Sequence, residues 1–136
     1  MDIPSIMSHV SVGTNDLERA LAFYDAVMPV LGARRMLQEP RENPRAVAYG
    51  KMFPEFWVQT PHDGRRAEAA NGVHFGFFAG AKDKVHEFYD AALAAGGDGD
   101  GEPGPRPLYG PEYYGCFVRD PDGHKIEAMV WESDVA

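Results

Sequence analysis

His9-Val10-Ser11-Val12, followed after a turn by Phe23-Tyr24-Asp25-Ala26, is matched further on by His74-Phe75-Gly76-Phe77 and then Phe88-Tyr89-Asp90-Ala91. The histidine and the four-residue match both recur at an offset of 65 residues, so the two stretches are in register without a gap. Self-similarity of this kind marks a duplicated supersecondary unit, and it decides the fold before any local propensity is weighed. Each copy reads as a short strand opened by a histidine, then an amphipathic helix, then further strands. Two units related by a pseudo-twofold would put their first strands, and so His9 and His74, at equivalent places in one shared structure.

Working outward in the first copy, Val10 and Val12 alternate with Met7, His9 and Ser11, which predicts a strand over Ile6–Gly13 with His9 turned away from the valines. Asn15 stands three residues before Glu18 and offers a polar N-cap; Leu17, Leu21, Tyr24 and Met28 then recur at helical spacing until Pro29 and Gly32. Ala33–Gln38 and Arg45–Tyr49 predict two strands around a polar turn, and Phe56-Trp57-Val58-Gln59 a fourth. In the second copy a strand is expected over Val73–Phe78. A helix follows from about Ala81 to Ala95, turning Val85, Phe88, Ala92 and Leu93 inward and stopped by Gly96-Gly97. The alternation of Gly, Pro and acids from Asp98 to Pro107 predicts a long loop over one end of the sheet. Tyr113–Arg119 and Lys125–Trp131 read as strands joined by a tight Asp120-Pro121-Asp122-Gly123 turn. The expected organisation is one domain over 1–136, with module one at about 4–61, a polar linker at about 62–72 and module two at about 73–132.

Composition narrows the function classes. Half of a 136-residue chain buries too little apolar surface to be stable alone, so the modules must share a core. A formal charge of −8 with scattered arginines excludes a nucleic-acid or anionic-membrane partner, because phosphate binding needs clustered Lys and Arg. A single cysteine, Cys116, cannot form an intrachain disulfide, which fits the cytoplasm, and no leader or membrane-spanning run is visible.

The order of elements, the opening His9-Val10-Ser11-Val12 with Asp16-Leu17-Glu18-Arg19-Ala20-Leu21-Ala22-Phe23-Tyr24, and the closing Asp120-Pro121-Asp122-Gly123-His124-Lys125-Ile126-Glu127 resemble the vicinal oxygen chelate superfamily. That group includes glyoxalase I, bleomycin and fosfomycin resistance proteins and extradiol dioxygenases. The resemblance implies an α+β fold of two βαβββ modules forming one curved mixed sheet, whose concave face holds a divalent metal. The implied ligands here are His9, His74 and Glu127. Glyoxalase I adds a fourth ligand, a glutamate on the last strand of module one. Aligning Phe56-Trp57 with Ile126-Glu127 shifts the offset to 70 and puts Trp57 at that place.

Two imidazoles and a carboxylate with open positions suit Fe, Mn, Zn or Ni, acting as a Lewis acid on a substrate with adjacent oxygens. With Trp57 in place of a glutamate, only Glu127 remains to move a proton, and Tyr113 is a candidate acid pointing into the cup. The dioxygenase family's tyrosine position is Phe117. Ser11, Trp57, Gln59, Phe78, Phe117 and Met129 are the expected pocket wall, while His62, His86 and His124 are expected to face solvent. Two readings stay open: a metal-dependent lyase, isomerase or oxygenase acting on a small oxygen-rich molecule, or a non-catalytic binding protein of the bleomycin resistance type. The resemblance further implies a homodimer.

Overall fold

The structure is a computed structural model that describes Ile3 and residues 5–132; the outermost limits of the expected domain lie outside these. Module one comprises β1 (Val10–Gly13), α1 (Leu17–Val27), β2 (Arg34–Glu39), β3 (Ala46–Gly50) and β4 (Phe56–Gln59). Module two repeats the order as β5 (His74–Phe78), α2 (Lys82–Ala94), β6 (Asp98–Pro105), β7 (Tyr113–Arg119) and β8 (Lys125–Trp131). The strand orders are β1-β4-β3-β2 and β5-β8-β7-β6, with the first pair in each parallel and the rest antiparallel. The two-module α+β fold is therefore present as two four-stranded mixed sheets, each hydrogen-bonded within itself. Val10 pairs with Phe56 and Phe75 with Ile126, so the register carries both the 65 and the 70 offset. Trp57, opposite Ser11, thus stands where Glu127 stands opposite Gly76.

Alternation along each strand sends one set of side chains under the helices. Val12, Val47, Phe56 and Val58 from one sheet and Cys116, Val118, Ile126 and Ala128 from the other are buried in a single cluster with Phe23, Tyr24, Val85 and Phe88. The modules share this core, as the chain length demands. Among the described residues no helix is long and apolar enough to cross a membrane.

Several local expectations are corrected. Asp16, not Asn15, caps α1, its side chain accepting from the Arg19 amide. Asn15 instead exchanges two hydrogen bonds with the backbone of Ala67, tying the linker to module one. The strand expected from Ile6 begins only at Val10, and His9 immediately precedes it. Pro29 does not stop the chain's coiling but opens a 3₁₀ turn, Met28–Leu31, which Gly32 closes at φ 79°. Leu93 is exposed, because Val85, Phe88 and Ala92 complete the inward stripe. The largest correction is β6. The Gly/Pro stretch forms an edge strand against β7, with register shifts at Gly99/Gly101 and Gly101/Gly104. Glycine permits the bulges, and on an outermost strand the prolines' missing N–H groups can face outward without breaking a ladder.

A polar clamp joins the modules at the Asp120–Gly123 turn. The Tyr24 hydroxyl donates to Asp120 Oδ2 at 2.6 Å in a buried bond, and the amides of Asp122 and His124 donate to Oδ1. Asn15 N and Arg19 Nη2 both donate to Asp122 Oδ1, and His124 Nε2 lies 2.7 Å from the Gly13 carbonyl. His124 is therefore half-buried and bonded, contrary to the solvent-facing expectation.

Burial raises the Asp120 pKa, and its hydrogen bonds offset this only in part. A folded pKa above the unfolded value means a contribution to stability present at low pH and lost as pH rises through the folded pKa. Asp120→Asn removes that titration. Whatever its absolute offset, the urea midpoint of the variant should move upward relative to the parent between pH 4 and pH 7. A downward movement relative to the parent over that range would refute the burial argument.

Candidate functional site

The face of module two opposite the helices is arranged in rows across β5, β8 and β7. The first row is His74, Lys125 and Arg119; the second is Gly76, Glu127 and Phe117; the third is Phe78, Met129 and Gly115; Trp131 and Tyr113 form the fourth. Glu127 is nearly buried at 9% exposure. Its two oxygens are engaged separately. His74 Nε2 lies 3.1 Å from Oε1, and the Tyr113 hydroxyl donates to Oε2 at 2.6 Å.

Two glycines make this convergence possible. A Cβ at Gly76 would stand 3.1 Å from Glu127 Oε1, and one at Gly115 would stand 2.3 Å from the Tyr113 hydroxyl. Tyr113 can therefore lie across Gly115 from the fourth row to reach Glu127 in the second. Sequence reasoning missed both glycines, although glycine inside a strand is a signal of close approach. Burial, followed by the hydrogen bond to Glu127, holds the Tyr113 phenol far above its ordinary pKa. Tyr113 thus stays protonated at neutral pH and acts toward Glu127 as a donor.

The remaining candidates fall into three groups. Phe117 and Met129 are buried beside Glu127, and the His74 ring meets Phe117 edge-on with centroids 5.9 Å apart. Phe78 is 70% exposed and lines a cavity of about 530 Å³ together with His9 and His74. Ser11 and Gln59 line a different depression, beside His62 and Arg65, and Trp57 is half-buried between them on the same face. His9 bonds through Nδ1 to the Ser8 hydroxyl at 2.9 Å. His86 is exposed but bonds to the Tyr114 hydroxyl, and His62 is exposed.

The donor set fits a divalent ion in part. Two ligands each about 2.1 Å from one ion at right angles are about 3.0 Å apart. His74 Nε2 and Glu127 Oε1, at 3.1 Å, have the spacing of adjacent ligands, and Tyr113 occupies only the other oxygen. His9 lines the same cavity as His74, yet among the described residues no three His, Cys, Asp or Glu side chains are grouped closely enough to hold an ion.

Two four-stranded βαβββ modules packed on one core define a glyoxalase-like fold. The sequence model of the Glyoxalase/Bleomycin resistance protein/Dioxygenase superfamily matches residues 6–128, and the chain belongs to that superfamily. It is 31% identical over 122 residues to a probable lactoylglutathione lyase of Vibrio parahaemolyticus, covering 89% of this chain and 87% of that one. A probable lactoylglutathione lyase of Vibrio cholerae is 30% identical, with 89% and 87% covered. Among solved structures, a glyoxalase/bleomycin resistance protein from Albidiferax ferrireducens superposes with a TM-score of 0.80 at 35% identity, covering 92% of this chain and 98% of that one.

Proposed function

We propose that this protein is a glyoxalase-like lyase or isomerase in which Glu127 moves a proton next to the carbonyl of a small oxygen-rich substrate. The observation that carries the reading is the division of labour at Glu127: Tyr113 fixes Oε2, while Oε1 points toward His74. Oε1 takes the proton from the carbon beside the carbonyl and the C–H electrons pass to the carbonyl oxygen, giving an enediolate; the same carboxylate returns the proton to the former carbonyl carbon, while the hydroxyl proton of the first carbon passes to the oxygen of the second and leaves the new carbonyl on the first. Tyr113 donates throughout and keeps the carboxylate oriented. Phe117 and Met129 exclude water from that side of the carboxylate. With Trp57 at the position equivalent to Glu127 in the first module, removal and return fall to the same group.

A divalent ion, whether Fe, Mn, Zn or Ni, would be held by His74 and Glu127, with His9 as a third ligand once its imidazole left Ser8. It would supply a Lewis acid for the negative charge developing on vicinal substrate oxygens. The lactoylglutathione lyase names of the Vibrio relatives make the hemithioacetal of methylglyoxal and glutathione the first substrate to test.

The deciding experiment is metal analysis of protein purified without chelator, paired with turnover of that hemithioacetal. We expect stoichiometric metal in the parent and in His62→Ala and His86→Ala, and none in His74→Ala. A His74→Ala protein that holds metal as tightly as the parent overturns the site. A metal-free, inactive parent that still binds small aromatic ligands makes the protein a sequestering one of the bleomycin resistance kind.

The proposed assembly is a homodimer. β1 and β5 are both outermost strands, and Met7, Phe53 and Phe78, at the cavity beside them, are 59%, 56% and 70% exposed. A second copy would cover both edges and this apolar rim. Sedimentation at tens of micromolar should give twice the chain mass.

A further inference from the structure

Arg106 stands beside the site without a role in the chemistry above. Its guanidinium lies over the Phe117 ring, with Cζ 5.1 Å from the centroid, and Phe117 is the cross-strand neighbour of Glu127. Nη1 donates to the carbonyls of Gly104 and Gly115 and Nη2 to that of Glu102. Those partners hold the group in place but carry no net charge. A guanidinium has five N–H donors, so Nε–H and one Nη2 hydrogen are left over. No ion pair to Arg106 is formed among the described residues, whereas on the same face Asp100 pairs with both Arg119 at 3.0 Å and Lys125 at 3.6 Å. The Lys125 ammonium also lies 4.8 Å from the Phe117 centroid, so two cations flank one ring next to the proton-moving carboxylate.

An arginine needed only to staple the bulged β6 could be satisfied by carbonyls alone. This one is also half-buried, held over an aromatic ring and, among the described residues, left with a full charge and free donors. That is a preorganised receptor for an oxyanion. It also answers a difficulty, since a chain of net charge −8 repels anions at long range and needs a local cation to hold one.

We propose that Arg106, held over Phe117, is the specificity residue that selects a substrate carrying a carboxylate distal to its reacting oxygens. The inference rests on the Glu127 face being the substrate site. Two arms separate its failure from the failure of that reading. In the first, metal-free ¹⁵N-labelled protein is titrated with sodium benzoate and with benzamide while the Arg106 Nε–H resonance is followed. Benzoate should shift it to saturation and benzamide should leave it in place; an unmoved resonance with benzoate overturns the proposal.

In the second arm, metal-loaded protein is titrated calorimetrically with benzohydroxamates bearing a meta or para carboxylate or carboxamide. For at least one position the carboxylate should bind about tenfold tighter, a preference weakened by salt. Arg106→Gln should abolish it, while Arg106→Lys should keep part. Equal affinities for carboxylate and carboxamide in the parent overturn the proposal even if Arg106→Gln does not fold. Neutral hydroxamates that bind equally with and without metal would instead count against the metal reading of the site.

Discussion

Glu127→Gln should lower turnover of the hemithioacetal by about 10²–10⁴-fold while leaving the fold intact. The amide is nearly isosteric, and its carbonyl oxygen can still accept the Tyr113 hydroxyl that now reaches Oε2 at 2.6 Å. What it lacks is the ability to take a proton at the oxygen facing His74. Trp57 stands at the repeat-equivalent position, so no second carboxylate occupies that place. The loss should fall on kcat more than on KM, since the carboxylate acts on the transferred proton and not on remote parts of the substrate. A variant retaining more than a tenth of parental turnover would remove Glu127 from the proton transfer. Tyr113→Phe should cost far less, because it frees the carboxylate's orientation without removing the base.

The second large effect concerns stability. Phe23→Ala should destabilise the protein by about 3–5 kcal/mol, the usual cost of emptying a fully buried aromatic site. Phe23 has no exposed surface and packs edge-on against Tyr24 at 4.9 Å. Although it belongs to α1, its ring also meets the other module: a Cβ at Gly97 would stand 2.8 Å from Phe23. The cavity therefore opens at the junction of the modules. Urea unfolding of the variant should remain a single transition with a lowered midpoint, because neither half has a core of its own. A variant that unfolds in two separate steps would show that the modules are independent.

The duplication in the chain determined the architecture. A histidine-led strand and a Phe-Tyr-Asp-Ala helix, repeated at 65 residues, could only be two copies of one unit, and the 70 offset at the closing strands set the register that places Trp57 opposite Ser11. Alternation and helical spacing are local properties, so strands such as Phe56–Gln59 and helices such as Leu17–Val27 were legible from the residues. The Gly/Pro stretch was not, because a bulged edge strand is defined by its partner β7, and no local composition names a partner. The same limit applied to Asn15: its choice of Ala67 over the helix amides depends on a chain segment 52 residues away. At the site, the family resemblance implied His9, His74 and Glu127, and strand parity added Tyr113. Only the tertiary structure decided that Tyr113 crosses Gly115 to hold one carboxylate oxygen, that His9 turns to Ser8, and that Arg106 lies on Phe117 with its charge unpaired. Each of these depends on angstrom-scale approach between strands distant in sequence, and periodicity carries no information about that distance.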